Sequence, residues 1–199
     1  PRAFRYLFLP GKDRNVCAVS ADYEYLPLEY KGSFACDDET INKVWAAAAY
    51  TFHLNSREFF LDGIKRDRWV WSGDAFQSYM INNYLFFDKE IDKRTIIALR
   101  GKDPVERHIN TILDYSFYWI ISILNYYQTT KDLEFVASVY PKMVTLMDFC
   151  LGRREEHGFC DGRDGDWIFI DWSEMDKDGP LCAEQILLAR SLDAMALCS

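Results

Sequence analysis

The spacing of apolar positions changes character along the chain. Residues 3–9 (Ala-Phe-Arg-Tyr-Leu-Phe-Leu) are β-formers without helical period, and residues 10–15 break the run as a turn. Two further extended pieces are predicted over residues 16–20 and 23–30, and Lys31-Gly32-Ser33 reads as a hinge. From Asp37 the period becomes helical. Ile41, Val44, Trp45, Ala48, Ala49 and Phe52 recur at i, i+3/i+4 behind a cap from Asp37 or Asp38, and four consecutive alanines, 46–49, let another helix come close. Gly73-Asp74 opens a second helix carrying Phe76, Tyr79, Met80, Tyr84 and Leu85. A third covers about 89–100. A fourth, about 115–129, is the most apolar and should be buried on most sides. A fifth, capped by Asp132, is expected to break near Pro141, and a sixth covers 182–197. Between the last two lies a loop of more than twenty residues, 158–180, rich in Asp, Gly and Trp; loops that long in a compact domain usually serve function.

Helix, short turn, helix and then a long acidic, aromatic loop is the rhythm of a toroid of helical hairpins. The expected fold is mainly α: part of an (α/α)6 barrel, preceded by the last strands of a β-sandwich. Residues 1–32 are assigned to those strands, and 33–199 to the N-terminal half of the helical domain, with the chain read as the interior of a longer protein.

Composition narrows the ligand. An apolar content of 49% and aromatic content of 16% mark a packed globular protein and exclude disorder. A net charge of -8 gives no basic face for nucleic acid or an anionic membrane, so a neutral ligand such as a sugar fits better. No apolar run reaches the roughly 18 residues of a membrane span. The six cysteines are scattered, without C-x-x-C pairs, and read mostly as buried small hydrophobes; His53, His108 and His157 have no partners at catalytic or metal spacing. Neither a metal nor a cofactor is expected.

The chemistry concentrates in residues 62–74, Asp-Gly-Ile-Lys-Arg-Asp-Arg-Trp-Val-Trp-Ser-Gly-Asp, where three carboxylates, three strong cations and two indoles fall within thirteen residues. In a sugar site, indoles cover the C–H face of the ring while carboxylates and guanidinium groups take its hydroxyls. The competing reading is a solvated, salt-bridged loop running into a helix. Taken alone, Asp74 reads as the N-cap of the second helix, and Asp114 as either cap or ligand group.

The segment Asp62-Gly-Ile-Lys-Arg66-Asp67-Arg68-Trp-Val-Trp71-Ser-Gly73-Asp74 resembles the Asp-Cys-Pro-Gln-Arg-(Asp/Glu)-Glu-Arg-x-Gly-Trp-(Thr/Ser)-Gly-Asp signature of the family 78 glycoside hydrolases, the bacterial α-L-rhamnosidases. Asp114-Tyr115-Ser116-Phe-Tyr-Trp119 resembles that family's Pro-Asp-Tyr-Ser-x-x-Trp stretch, Gly165-Asp166-Trp167 its Gly-Asp-Trp, and the run from Gly32 through Asp37 to Trp45 its junction between β and helical domains. The resemblance implies hydrolysis of terminal α-L-rhamnosyl residues with inversion. It puts Asp67 in the general-acid position, and Asp62, Arg66, Asp74, Asp114 and Asp166 among the groups that hold the sugar. Trp71, Trp119 and Trp167 would form the apolar wall that meets the ring and its methyl group. Core packing is the other reading of Trp71 and Trp119.

Indoles and the neighbouring Asp62 and Asp74 are expected to raise the pKa of Asp67 toward neutrality, with Arg66 and Arg68 opposing. This chain departs from the family pattern in three ways. The acid is Asp where Glu is usual, Gly63-Ile64-Lys65 replaces the Cys-Pro-Gln portion and is one residue shorter, and the family's general base, a Glu, is expected beyond Ser199. Within the chain, Asp171 and Glu174 are the loop carboxylates that could stand in for it. The resemblance makes a rhamnosyl glycoside the partner. The alternatives are another (α/α)6 carbohydrate-active enzyme or a carbohydrate-binding module that has lost catalysis.

Overall fold

The computed structural model describes residues 3–8, 18–163 and 165–199. Six α-helices follow one another: α1 (Glu39–Asn55), α2 (Ser72–Leu85), α3 (Lys89–Arg100), α4 (Leu113–Thr130), α5 (Leu133–Gly152) and α6 (Cys182–Cys198), with a 3-10 turn (Ile109–Thr111) ahead of α4. Each helix falls where the apolar period placed it. Asp38 caps α1 by accepting from Thr40 N and Ile41 N, Asp88 caps α3 in the same way, and Asp132 caps α5 through Phe135 N.

α4 lies between α2 and α6, and α3 and α5 pack behind it. Its sequence predicts this position, since Phe117, Ile120 and Ile123 are fully covered while Leu113 and Tyr126 close the two ends. Ser191 and Ala194 of α6 and Ser122 of α4 are buried small residues, which lets helix axes approach. Burying this face is what holds the helices together, at roughly 25 cal/mol for each Å² of apolar surface removed from water.

Three expectations are corrected. Pro141 does not interrupt α5: it and Ala137, whose carbonyl the proline leaves without an amide donor, both lie on the exposed face, where water satisfies that carbonyl. Asp74 is not the cap of α2, because the helix starts at Ser72 and its N-cap, Trp71, makes no side-chain cap bond. The stripe on α1 is largely uncovered, with Ile41 and Val44 exposed and no residue of the helix buried; α1 is attached through Phe52, stacked on Phe60 and Phe86. Among the described residues α5 alone is long and apolar enough to cross a membrane, but Glu134, Lys142 and Asp148 interrupt its apolar run and its Phe135, Val139, Met143 and Leu146 face the core.

Among the described residues there is no named strand, only isolated bridges. Residues 3–8 and 18–36 form neither helix nor ladder, and the expected pieces over 9–17 lie outside the described residues. Segment 26–32 is nonetheless pinned to the helices: Lys31 N and Gly32 N both donate to Leu85 O, and His53 bonds Leu26 O and the Tyr30 hydroxyl. Of the five described cysteines only Cys150 and Cys160 are buried, so the small-hydrophobe reading holds for those two alone.

Candidate active site

The segment 62–71 leaves the 56–60 turn and folds back on itself. Asp62 N donates to Trp69 O, and Asp62 Oδ1 accepts from Trp69 N, both at 3.1 Å, which closes a small loop around residues 63–68. That closure sets Arg66 and Asp67 beside Trp71 at the start of α2. Ser72 ties this start to α4, its N–H donating to Asn110 Oδ1 and its hydroxyl to Tyr115 O. A Cβ on Gly73 would lie 2.6 Å from the Tyr115 ring, so the glycine is what lets α2 and α4 meet here.

The result is a cleft of about 330 Å³ whose lining includes Asp62, Arg66, Asp67, Trp71, Asp74, Tyr115 and Trp167. Charged and aromatic groups share its wall, the Tyr115 hydroxyl bonding the Asp74 carboxylate. Trp71 meets Tyr115 edge-on, Tyr115 meets Phe169, and Phe169, Trp167 and Trp172 contact one another with ring planes 63–75° apart. Asp62, Arg66, Asp67, Trp71, Asp74 and Trp167, six of the sequence-derived candidates, therefore share one cavity.

Three others do not, and their placement corrects the expectation. Trp119 is 1% exposed and its indole N–H donates to Ile96 O, so it is a core residue without access to a ligand. Asp166 is ion-paired with Arg153 and accepts from Arg163 N, which commits it to holding the loop. Asp114 is fully buried and neither caps α4, whose N-cap is Ile112, nor reaches the cleft. Its two oxygens accept from Phe169 N and Ile170 N, 3.2 Å each, and so hang the aromatic loop on α4. Asp171 and Glu174 are exposed and absent from the cleft wall.

The electrostatics also depart from expectation. Arg66 grips Asp67 in bidentate fashion, Nε to Oδ1 at 2.9 Å and the second nitrogen to Oδ2 at 3.1 Å. This hydrogen-bonded guanidinium holds the Asp67 carboxyl below its usual range, overcoming desolvation, and a bond to Asp62 adds to the lowering. Asp74 moves the other way: burial, then the nearby Asp62 charge, raise its pKa, against a hydrogen bond from the Tyr115 hydroxyl.

Sequence reasoning missed Tyr115, Gln77 and Ile112 of the lining, which carry no charge signal, and Phe169 and Trp172, which stand in the long loop already suspected of function. It also missed Glu184. Asp74, Asp114 and Glu184 occupy the first turns of α2, α4 and α6, where helix N-termini favour carboxylates. Glu184 is 1% exposed, neither oxygen has a hydrogen-bond partner among the described residues, and burial followed by the Asp114 charge pushes its pKa up to about 9. His108 is buried against Ser116 Oγ at 3.0 Å and pushed down to about 4 by burial, a neutral core histidine. Among the described residues no group of His, Cys, Asp or Glu is arranged to hold a metal ion.

Helices packed side by side, with acids and indoles meeting in one cleft at the start of α2, define a domain of helical hairpins. Sequence comparison specifies it further. Residues 29–198 match the bacterial α-L-rhamnosidase six-hairpin glycosidase domain, and the chain belongs to that family. It is 25% identical over 94% of its length to an α-L-rhamnosidase of Formosa agariphila, of which it covers 22%. The fold is similar to that of a family 78 rhamnosidase of Bacillus sp. GL1 (TM-score 0.77, 23% identity, 87% of this chain and 20% of that one). It is also similar to a rhamnosidase from Klebsiella oxytoca with rhamnose bound (TM-score 0.67, 22% identity, 82% of this chain and 34% of that one). The chain thus spans between a fifth and a third of the length of these relatives.

Proposed function

We propose that the chain is part of an enzyme that releases terminal α-L-rhamnose from glycosides or polysaccharides with inversion, Asp67 serving as general acid. The observation that carries this reading is the meeting of Asp62, Arg66, Asp67 and Asp74 with Trp71 and Trp167 in one cleft of a domain of this family. Asp62, Arg66 and Asp74 take sugar hydroxyls, and the indoles cover the apolar ring face. Inversion needs a second carboxylate on the opposite side, roughly 6.5–9.5 Å away, to activate water. Asp171 and Glu174 stand outside the cleft, so neither is assigned that role. Residues 1–32 are assigned to a preceding β-domain, consistent with a family match that starts at residue 29.

The Arg66 clamp keeps Asp67 ionised in the free cleft, so protonation requires Arg66 to exchange it for a sugar hydroxyl. A bound ring then covers the carboxyl, and desolvation raises its pKa. The same clamp favours one competing reading, a module that binds sugar without cleaving it. Hydrolysis of p-nitrophenyl α-L-rhamnoside by the full-length protein decides between them. Turnover that Asp67→Asn abolishes, with β-L-rhamnose as first product by NMR, supports the enzyme. Rhamnose binding without turnover supports the module.

A further inference from the structure

The loop that brings Phe169 and Trp172 to the cleft is held in a costly conformation. Ile170 has φ +51, a left-handed value that a β-branched residue rarely adopts, inside a three-residue turn closed by Asp171 N to Phe169 O. Two side chains enforce it from opposite sides. Asp114 accepts from the Phe169 and Ile170 amides, and Lys177 Nζ donates to Phe169 O at 2.5 Å and Asp171 O at 2.9 Å while lying 5.8 Å from the Phe169 ring. Strain fixed by two independent restraints marks a conformation that is used.

Its consequence is the position of Trp172. The turn sends Phe169 inward against Tyr115 and leaves Trp172 at the cleft mouth, 74% exposed. Phe169 and Trp167 both meet Trp172 in edge contacts, at 75° and 63°, so neither ring lies parallel to the indole, most of which remains exposed. A terminal sugar whose hydroxyls reach Asp74 and Asp62 must direct its glycosidic bond outward, past the most exposed aromatic ring of the lining.

Building on the rhamnoside reading above, we propose that Trp172 is a specificity-determining residue. Its exposed indole stacks on a leaving group that presents a flat apolar surface, an aryl ring or the C–H face of a second sugar, and Lys177 is the positioning residue that keeps it there. The test uses the full-length protein with p-nitrophenyl α-L-rhamnoside, a rhamnosyl disaccharide, and free L-rhamnose as competitive inhibitor.

Trp172→Ala is expected to raise KM for one or both glycosides roughly three- to ten-fold, the worth of one aromatic contact, while the rhamnose inhibition constant stays within about two-fold. Trp172→Phe restores most of the loss. Lys177→Met reproduces the same split and Lys177→Arg reverses it, which general weakening of the fold would not do. Which glycoside suffers identifies the face as aryl or sugar. Equal loss for rhamnose and both glycosides, or no loss at all, overturns the proposal while leaving the rhamnoside reading intact. A wild-type protein that turns over neither glycoside overturns that reading and this proposal together.

Discussion

Replacing Glu184 by Gln should make the protein more stable, and by an amount that depends on pH. The wild-type carboxyl lies in the first turn of α6, 1% exposed, with no hydrogen-bond partner for either oxygen among the described residues. Burial lifts its pKa from 4.5 in the unfolded chain to about 9 in the fold. Stability is therefore fully present below pH 4.5 and drains away as the pH climbs through 9, because the unfolded chain releases its proton first. At pH 7 the gap of 2.5 units between solution pH and the unfolded value, at about 1.36 kcal/mol per unit, amounts to roughly 3 kcal/mol. At pH 5 the same linkage leaves less than about 1 kcal/mol. Gln keeps the size and removes the titration. Urea unfolding of the full-length protein, followed by tryptophan fluorescence at pH 5, 7 and 8, should show Glu184→Gln ahead of wild type by a margin that widens with pH. Parallel pH profiles for the two proteins would refute the argument, since they would mean that the carboxyl finds water or a partner in the folded state.

Other changes test other parts of the structure. Arg66→Gln removes the cation that holds Asp67 low, so the protonated acid persists to higher pH and the basic limb of the kcat/KM profile moves upward, with KM rising as the proposed sugar contact of Arg66 is lost. Asp114→Asn keeps one acceptor and turns an N–H toward the second loop amide; a cost of about 1–3 kcal/mol in thermal unfolding is expected, with weaker sugar binding by calorimetry as the 169–172 turn loosens. Gly32→Ala would place a Cβ 1.6 Å from Tyr84 O, a backbone atom that cannot swing aside, so the Lys31 and Gly32 bonds to Leu85 O should break and limited proteolysis near residue 32 accelerate.

All six helices were legible in the sequence because apolar residues recur along runs bounded by turn residues and three of the caps are aspartates, although the stripe on α1 stays uncovered. The cleft was legible in part. Residues 62–74 declared themselves through charge density and indoles, and Trp167 through its resemblance to the family's Gly-Asp-Trp. Trp119 and Asp114 misled because motif position says nothing about which way a side chain turns: one indole N–H found a carbonyl in the core, and one carboxylate found two loop amides. The direction of the Asp67 shift was not readable either. It depends on whether Arg66 or the indoles lie closer, a distance that only the folded loop decides. Glu184 was hidden for a related reason, since an acid in a first turn normally reads as a surface residue complementing the helix dipole.

The placement of Asp74, Asp114 and Glu184 bears on how such a protein can change over generations. Asp74 of α2 lines the cleft itself, Asp114 of α4 holds the aromatic loop beside it and Glu184 of α6 stays buried, while the helices meet through side chains rather than through a continuous sheet. A mutation in one helix can therefore retune a single corner of the cleft without disturbing the register of its neighbours, and new preferences can accumulate one unit at a time.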